Sequence, residues 1–232
     1  MPRRARIAFA GYPHHLVQRG HNRNAVFFSD FDRMDYLGTL QECREMYSLK
    51  VYGYCLMTNH VHLIVDPGAH AQNVGRLMKR LAGRHTRRMN SLLRKTGTVW
   101  EGRFHCSPID TARYLLTCGR YVDQNPVRAG IVAHPEDFGW SSYRARAGFE
   151  TCEWLDEDPA LVDLAATRER RFALYRTLAQ LPASEDELSM IRGALQRNQL
   201  TGTEEFRDEI LRTRGVDVPG RTRGRPKAGE GD

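Results

Sequence analysis

The chain has 232 residues, of which 41% are hydrophobic, and it carries a formal net charge of +7 at pH 7. This composition can build a real core, so it argues against a disordered chain and predicts one domain of ordinary size plus an extension. Arginine outnumbers lysine in the long basic stretches and suits phosphate groups, which predicts a polyanionic partner, most simply nucleic acid. A merely basic soluble protein is the alternative.

The first elements of the chain follow a strand and helix pattern. Residues 14–19 are predicted to form a strand, and Ser29 begins a helix with a capping-box pattern that ends near Leu49. Residues 51–57 and the strand from His60 are separated by only two residues, so we expect a hairpin.

The next elements complete the pattern β-α-β-β-α-β-α. A second helix is predicted to begin at Asn73 and end before Gly97, an extended segment covers residues 98–109, and a third helix runs from Ala112 to about Asn125. Pro126 is expected to end that helix. The first six elements match the split βαβ, ferredoxin-like arrangement with an antiparallel sheet, an α+β fold. We expect the first two helices on one face of the sheet and the third helix on the other.

The remainder is expected to form a mostly helical extension over residues 131–214, after a catalytic domain of residues 1–130. Its helical patterns cover residues 167–180, 184–197 and 204–213. Residues 215–232 are rich in Gly, Pro and Arg and are expected to be a disordered basic tail. Within the tail, residues 223–226 resemble an AT-hook core, although a plain basic tail is the favoured interpretation.

The five cysteines are odd in number, widely spaced and without a CxxC pair, which argues against a disulfide framework or a cysteine zinc site. They fit small buried side chains in a reducing compartment. No run of residues approaches the length of a membrane span. The sequence therefore predicts a cytoplasmic protein without membrane contact.

Two histidines alternate with apolar residues in the third predicted strand. Because residues i and i+2 share one face of a strand, His60 and His62 should lie side by side. Two neutral imidazoles at this spacing can hold one divalent cation, although a half-buried strand with two satisfied histidines is the alternative. Tyr121 and Asn125 are four residues apart, and they can approach the histidines if the third helix covers the same face.

These groups suggest one chemistry. Tyrosine is a poor nucleophile at its free pKa of about 10. It can attack a phosphodiester when a cation polarises the phosphate, giving a 5′-phosphotyrosine and a free 3′-hydroxyl that can later rejoin strands. An asparagine oxygen is a suitable third ligand for a hard cation such as Mg²⁺ or Mn²⁺.

Several basic segments are candidates for DNA contacts. The loop after the first strand offers Arg19, Asn22 and Arg23, with a solvated turn as the alternative. Trp100 and Arg103 combine aromatic and basic groups, which suits single-stranded nucleic acid. The second helix carries basic residues mostly off its apolar stripe, either to follow a phosphate backbone or as a solvated face: Arg76, Lys79, Arg80, Arg84, Arg87 and Arg88.

The sequence resembles the histidine-hydrophobic-histidine (HUH) single-strand endonucleases, and its wider pattern resembles the REP-associated tyrosine transposases, relatives of small insertion-sequence transposases. Thr58 departs from the pattern, which usually has proline there, and we expect only the hairpin link to change. The matching stretches run along most of the chain, at residues 18–20, 56–63, 100–103, 121–130, 140–143 and 224–227.

The resemblance implies that Tyr121 is the nucleophile, that His60 and His62 bind Mg²⁺ or Mn²⁺, and that Asn125 is the third ligand. Arg128, within the tyrosine motif, joins the candidate DNA contacts. The implied enzyme is a monomer or homodimer that cuts and rejoins single-stranded DNA beside hairpins such as REP-like repeats.

Two other functions fit parts of the pattern. A domesticated hairpin-DNA-binding protein would have weak or no strand-transfer activity, but a pure binder has no need of the two histidines, the tyrosine and the asparagine together. An RNA-binding protein on the same sheet would place stacking aromatic residues where this chain has two histidines. The enzyme is therefore the leading interpretation.

Overall fold

The computed structural model describes residues 6–181 and 183–214. The predicted disordered tail, including its AT-hook-like stretch and the last of the matching segments, lies outside the described residues. Among the described helices, none has both the length and the apolar character needed to cross a membrane.

Four strands form one antiparallel sheet in the spatial order β2-β3-β1-β4, as predicted for the ferredoxin-like arrangement. The strands β2 and β3 are the predicted hairpin, and the central pair β3 and β1 places His62 opposite Val17 and His60 opposite Arg19. The strands are β1 (His14–Arg19), β2 (Lys50–Met57), β3 (His60–Asp66) and β4 (His105–Pro108).

Helices α1 (Asp30–Met46) and α2 (Asn73–Leu93) cover one face of the sheet. The predicted capping box is present at the start of α1, where the Ser29 N–H donates to the Asp32 carboxylate over 2.9 Å. Helix α1 ends earlier than predicted, because Ser48 adopts a positive φ of 50° that a helix cannot continue through. The side chains of β3 that point toward this layer are Val61, Leu63 and Val65.

Helix α3 (Thr111–Asp123) covers the opposite face, as predicted. Helix α3 ends at Asp123, and after Gln124 the chain forms a four-residue helix, α4 (Asn125–Arg128), with Pro126 in its first turn. Proline is accepted there because a first-turn N–H has no partner within the helix. The new helix therefore begins at Asn125, with only Gln124 between it and the end of α3.

The extended segment predicted for residues 98–109 forms a much shorter strand. Before β4, the chain turns at Gly102, which has a φ of +62°. Trp100 instead makes an isolated bridge with Gly20 and lies 3% exposed in the core under α1 and α2.

The extension packs directly on the sheet and on α3. Residues 140–142 pair with the outer edge of β2, where the Leu56 N–H donates to the Trp140 carbonyl over 2.9 Å. At the opposite edge, the Thr201 N–H donates to the Pro108 carbonyl over 2.8 Å. The last three helices match the predicted ones closely, whereas the first two were not predicted: α5 (Tyr143–Arg146), α6 (Pro159–Val162), α7 (Arg168–Gln180), α8 (Glu185–Arg197) and α9 (Glu204–Arg214).

A buried ionic network joins α3 to the extension. The Arg146 guanidinium lies 3.3 Å from the Asp123 carboxylate and 2.9 Å from the Asp158 carboxylate, and all three side chains are 1–2% exposed. The hydroxyls of Tyr175 and Ser142 also donate to Asp123. Burial raises the pKa of Asp123 to about 6, although Arg146 and the two hydroxyl donors act in the opposite direction.

We expect Arg146→Met to lower the free energy of unfolding by about 3–5 kcal/mol, because it leaves two buried carboxylates without their cation. Arg144→Met is the matched control, since Arg144 forms a half-exposed ion pair with Glu150, and we expect a loss of about 1 kcal/mol or less. Urea unfolding of both variants measures the difference. Equal losses would show that the buried network adds nothing beyond surface charge pairing.

Candidate active site

A cavity of about 420 Å³ lies where α3 meets the sheet. The four predicted catalytic residues, which come from β3, α3 and the start of α4, all line this cavity: His60, His62, Tyr121 and Asn125. Two of the predicted DNA-binding residues, Arg19 and Arg103, line it as well. The structure therefore brings together residues that lie up to about a hundred positions apart in the chain.

The strand alternation of β3 places the two histidines. Val61 and Leu63 enter the core under α1 and α2, so His60 and His62 face the other layer. The ring centres of the two histidines are 5.0 Å apart, and the ring centre of Tyr121 is 5.9 Å from that of His62. This arrangement places the predicted nucleophile beside the predicted metal ligands.

Hydrogen bonds hold one nitrogen of each imidazole. His60 Nδ1 lies 2.7 Å from Asn59 Oδ1, and His62 Nδ1 lies 2.9 Å from His15 Nε2. Within the described part of the chain, Nε2 of both rings has no hydrogen-bond partner. Because the asparagine oxygen can only accept, His60 Nδ1 carries the proton and its Nε2 has a free lone pair. The same state arises at His62 when its Nδ1 donates to His15.

Burial keeps these imidazoles neutral. It lowers the pKa of His15 to about 3 and that of His60 to about 4, and the cations Arg128 and Arg19, respectively, act in the same direction. Burial also places the pKa of His62 well below its usual range, and the neighbouring imidazoles and arginines add to the effect. Neutral imidazole is the form that binds a metal ion.

Two residues of α4 hold the backbone and ring of Tyr121. Asn125 Nδ2 donates to the carbonyls of Tyr121 and Val122 over 3.0 and 3.3 Å, which leaves Oδ1 as the free end of the amide. The Arg128 guanidinium donates to the Tyr121 carbonyl and lies 4.2 Å from the centre of the tyrosine ring. The structure thus gives Arg128 a packing role against Tyr121, in addition to its predicted role as a DNA contact.

The structure adds residues that the sequence patterns had not singled out. His15 contacts the ring of His62 and lies 5.7 Å from the ring centre of Tyr121. The alternation of β1 could have identified it, because His15 and Arg19 share a face. Glu101 lies in a matching stretch and lines the cavity, and Arg192 of α8 lines it too.

The remaining predicted DNA contacts form two surfaces. Asn22 and Arg23 are exposed in the loop after β1 and both have positive φ angles, 52° and 59°. The basic residues on the outer face of α2 line a separate open groove of about 670 Å³ and are called the α2 basic face below: Arg76, Lys79, Arg80, Arg84 and Arg87.

Some of the positive charge of α2 is paired within the protein. Arg84 and Arg80 lie 2.5 and 3.6 Å from the Glu42 carboxylate of α1, and Arg88 lies 3.2 Å from the buried Asp32. Arg88 therefore joins α2 to the start of α1, whereas exposed members of the α2 basic face such as Arg76 stay available to phosphates.

The structure contradicts the predicted DNA contact of Trp100. The indole ring is buried, its Nε1 donates to the Ala82 carbonyl over 3.3 Å, and it packs among Tyr36 and His85. A ring enclosed in this way cannot stack on a base. The composition of the segment had suggested stacking, but the bridge to Gly20 and the packing under α1 and α2 hold the side chain in the core.

Comparison with solved structures gave one match that shows a similar fold and one weaker match. A structure described as a REP-associated tyrosine transposase bound to a REP hairpin has a TM-score of 0.55 at 14% sequence identity, and the match covers 64% of this chain and 86% of that one. A candidate transposase from Deinococcus radiodurans R1 has a TM-score of 0.36 at 19% identity, covering 56% of this chain and 92% of that one. The first match confirms the predicted fold.

Comparison with curated proteins found no match. The family model described as "Transposase IS200 like" matches residues 9–125, which is half of the chain. The matched range contains all four strands and ends at Asn125, so it includes the cavity residues of β1, β3 and α3. The protein therefore belongs to the family of IS200-like transposases.

Proposed function

We propose that the protein cuts and rejoins single-stranded DNA beside hairpins through a covalent bond between Tyr121 and a 5′-phosphate. The observation that carries the proposal is the convergence of Tyr121, His60, His62 and Asn125 on one cavity in a protein of a transposase family. The solved structure with a similar fold is described as bound to a REP hairpin, and hairpins of this kind are the substrate class we propose.

The proposed reaction exchanges one phosphodiester for another. Tyr121 Oη loses its proton and forms a bond to phosphorus. The bond from phosphorus to the 3′ oxygen breaks, and that oxygen takes up a proton to become the released 3′-hydroxyl. Because the energy of the phosphodiester is kept in the phosphotyrosine, attack by a 3′-hydroxyl rejoins strands. Asn125 holds the backbone of Tyr121 and Arg128 packs over its ring, so the ring is already ordered before DNA binds.

The donor atoms in the cavity fit a divalent cation. We propose that Nε2 of His60 and His62, together with Oδ1 of Asn125, hold Mg²⁺ or Mn²⁺. When bound, the cation would supply polarisation of the scissile phosphate. No cluster of three or more His, Cys, Asp or Glu side chains suited to a metal occurs among the described residues. The Asn125 amide oxygen is free to serve as the third protein ligand.

The α2 basic face and the cavity suit the two parts of a hairpin substrate, its duplex stem and its single-stranded flank. We propose that the α2 basic face binds the phosphates of the duplex stem, since it forms an open groove on the outside of the protein. The cavity with Arg19 and Arg103 would receive the single strand beside the stem. The exposed loop that contains Asn22 and Arg23 follows Arg19 directly, so it is the proposed reader of bases next to the cut.

We expect Tyr121→Phe to abolish the covalent adduct while hairpin binding changes little, because phenylalanine keeps the ring under Arg128 and removes only the nucleophilic oxygen. Labelled hairpin DNA is incubated with Mn²⁺ and separated by denaturing electrophoresis, and gel shifts report binding. Adduct formation by the variant would refute the assignment. Binding by the wild-type protein without any adduct would instead identify a hairpin-binding protein that has lost its chemistry.

We expect His60→Ala and His62→Ala each to reduce cleavage by about 100-fold or more, since loss of even an outer-shell partner of a metal ligand costs about 10–100-fold. Asn125→Ala should have a smaller effect, because water can replace a neutral oxygen ligand. The exposed His70→Ala is the control. Cleavage rates are measured against the concentration of Mn²⁺ and in excess chelator. Full activity in chelator would exclude the proposed cation.

We expect replacement of Arg76, Lys79 and Arg87 by glutamine to flatten the dependence of log K on log salt by about 2 to 3 units, given a slope of about 0.7–0.9 per phosphate contact. These three residues are exposed and lie outside the Glu42 pairings. A charge-matched control replaces three exposed residues elsewhere: Lys50, Arg170 and Arg212. Equal slopes for the two triple variants would mean that the α2 basic face is only solvated.

A further inference from the structure

Helix α8 forms part of the wall of the active-site cavity, although it lies outside the part of the chain that matches the transposase family. The match ends at residue 125, whereas Arg192 and Gln196 of α8 line the same cavity as Tyr121 and His62. The two α8 residues are four positions apart and therefore lie on one face of the helix.

Helix α8 and the segment after it are held to β4 by several contacts. The Leu195 carbonyl lies 3.1 Å from His105 Nδ1, the Cys106 N–H donates to Asn198 Oδ1 over 3.0 Å, and the Ser107 hydroxyl donates to the Gln199 carbonyl over 2.6 Å. Buried residues of α8 also join the apolar cluster that contains Tyr121. The position of Arg192 relative to the tyrosine is therefore fixed by the fold.

Among the described residues, Arg192 lines the cavity without a salt-bridge partner, although the Glu101 carboxylate lines the same cavity. Arg192 is exposed, and in the described parts of the chain it has neither a carboxylate within ion-pair distance nor a hydrogen-bond acceptor. Burial lowers the pKa of the neighbouring Arg128, and the charge of Arg192 acts in the same direction, which indicates that the two cations lie close together. Arg19 adds a further cation from β1.

An anionic ligand is the natural occupant of such a site. A cavity of about 420 Å³ can admit one nucleic-acid strand, but it cannot admit a duplex. A guanidinium binds phosphate oxygens through paired, charge-assisted hydrogen bonds. These observations favour a backbone phosphate of a single strand as the partner of Arg192.

We propose that Arg192 binds a backbone phosphate of the single-stranded flank next to the cut, so that α8 and the sheet form the two sides of a channel for that strand. This inference rests on the proposed function, and it assigns part of the DNA site to the extension. Arg192 itself neither forms nor breaks a covalent bond in the reaction. Its contribution is to hold the strand against Tyr121.

The test compares two labelled hairpins, one with a single-stranded flank and one without, in fluorescence anisotropy titrations over a range of salt. The protein carries Tyr121→Phe and chelator is present, so no DNA is cut. We expect Arg192→Gln to weaken binding of the flanked hairpin roughly tenfold, as for loss of one charge-assisted contact, and to lower the salt slope by about 0.7. Binding of the hairpin without a flank should not change.

The matched control is Arg197→Gln on the same helix, because Arg197 donates to Gln199 over 2.6 Å and does not line the cavity, although it shares a neighbouring surface groove with Arg192. It should leave both affinities unchanged, and urea unfolding should show that both variants keep wild-type stability. Indistinguishable binding by the two variants would overturn the inference.

A second readout uses protein with Tyr121 intact. Arg192→Gln should raise the KM for the flanked hairpin more than it lowers kcat, because the contact orders the strand before the chemical step. An effect on kcat alone would overturn the proposed binding role. If the wild-type protein forms no adduct, the proposed function fails, yet the flank-dependent loss of binding remains measurable, so the two failures can be told apart.

Discussion

The central strand β3 is covered by helices on both faces, and the site depends on which of its side chains point to which face. One face presents Val61 and Leu63 to the layer of α1 and α2, and the other presents His60 and His62 to the layer of α3. A slip of one residue against β1 would exchange the faces, placing imidazoles in the apolar core and aliphatic side chains in the cavity. The register that opposes Val17 to His62 thus determines both the core and the site.

Ring contacts on one side and a buried ion pair on the other position α3. On the sheet side, the rings of His15 and His62 both lie within 6 Å of the Tyr121 ring centre. On the other side, Asp123, two residues along the helix, is held by Arg146 of the extension. Apolar packing alone tolerates small shifts of a helix, whereas buried hydrogen bonds and ion pairs specify one position. Tyr121, the proposed nucleophile, is therefore positioned by residues far outside its own helix.

The part of the fold that local patterns determine could be predicted from the sequence. Alternation in β3, the capping box at Ser29 and the apolar stripe of α2 gave the elements and their order, because each signal lies within a few consecutive residues. The shortness of β4 and the burial of Trp100 were not predicted, since the first follows from the turn at Gly102 and the second from contacts with distant helices.

The predicted part of the site was the part with a local motif, namely His60, His62, Tyr121 and Asn125. The contact of His15 with His62 spans 47 positions, and the contact that fixes α8 on β4 spans 90. No spacing rule within one element can reveal such pairs. The residues with which the extension lines the cavity follow from the tertiary structure and not from a local pattern.

The extension also covers both edges of the sheet, which limits how two copies of the protein can associate. A strand edge with unpaired N–H and C=O groups is a template on which another chain can pair. Here Tyr54 and Leu56 of β2 are bonded to residues 140–142, and the Pro108 carbonyl of β4 is bonded to Thr201. Within the described chain, neither outer strand is left open along its length to a second copy. Edge-to-edge pairing of two sheets is therefore blocked at these strands, and any association of two copies has to use another surface.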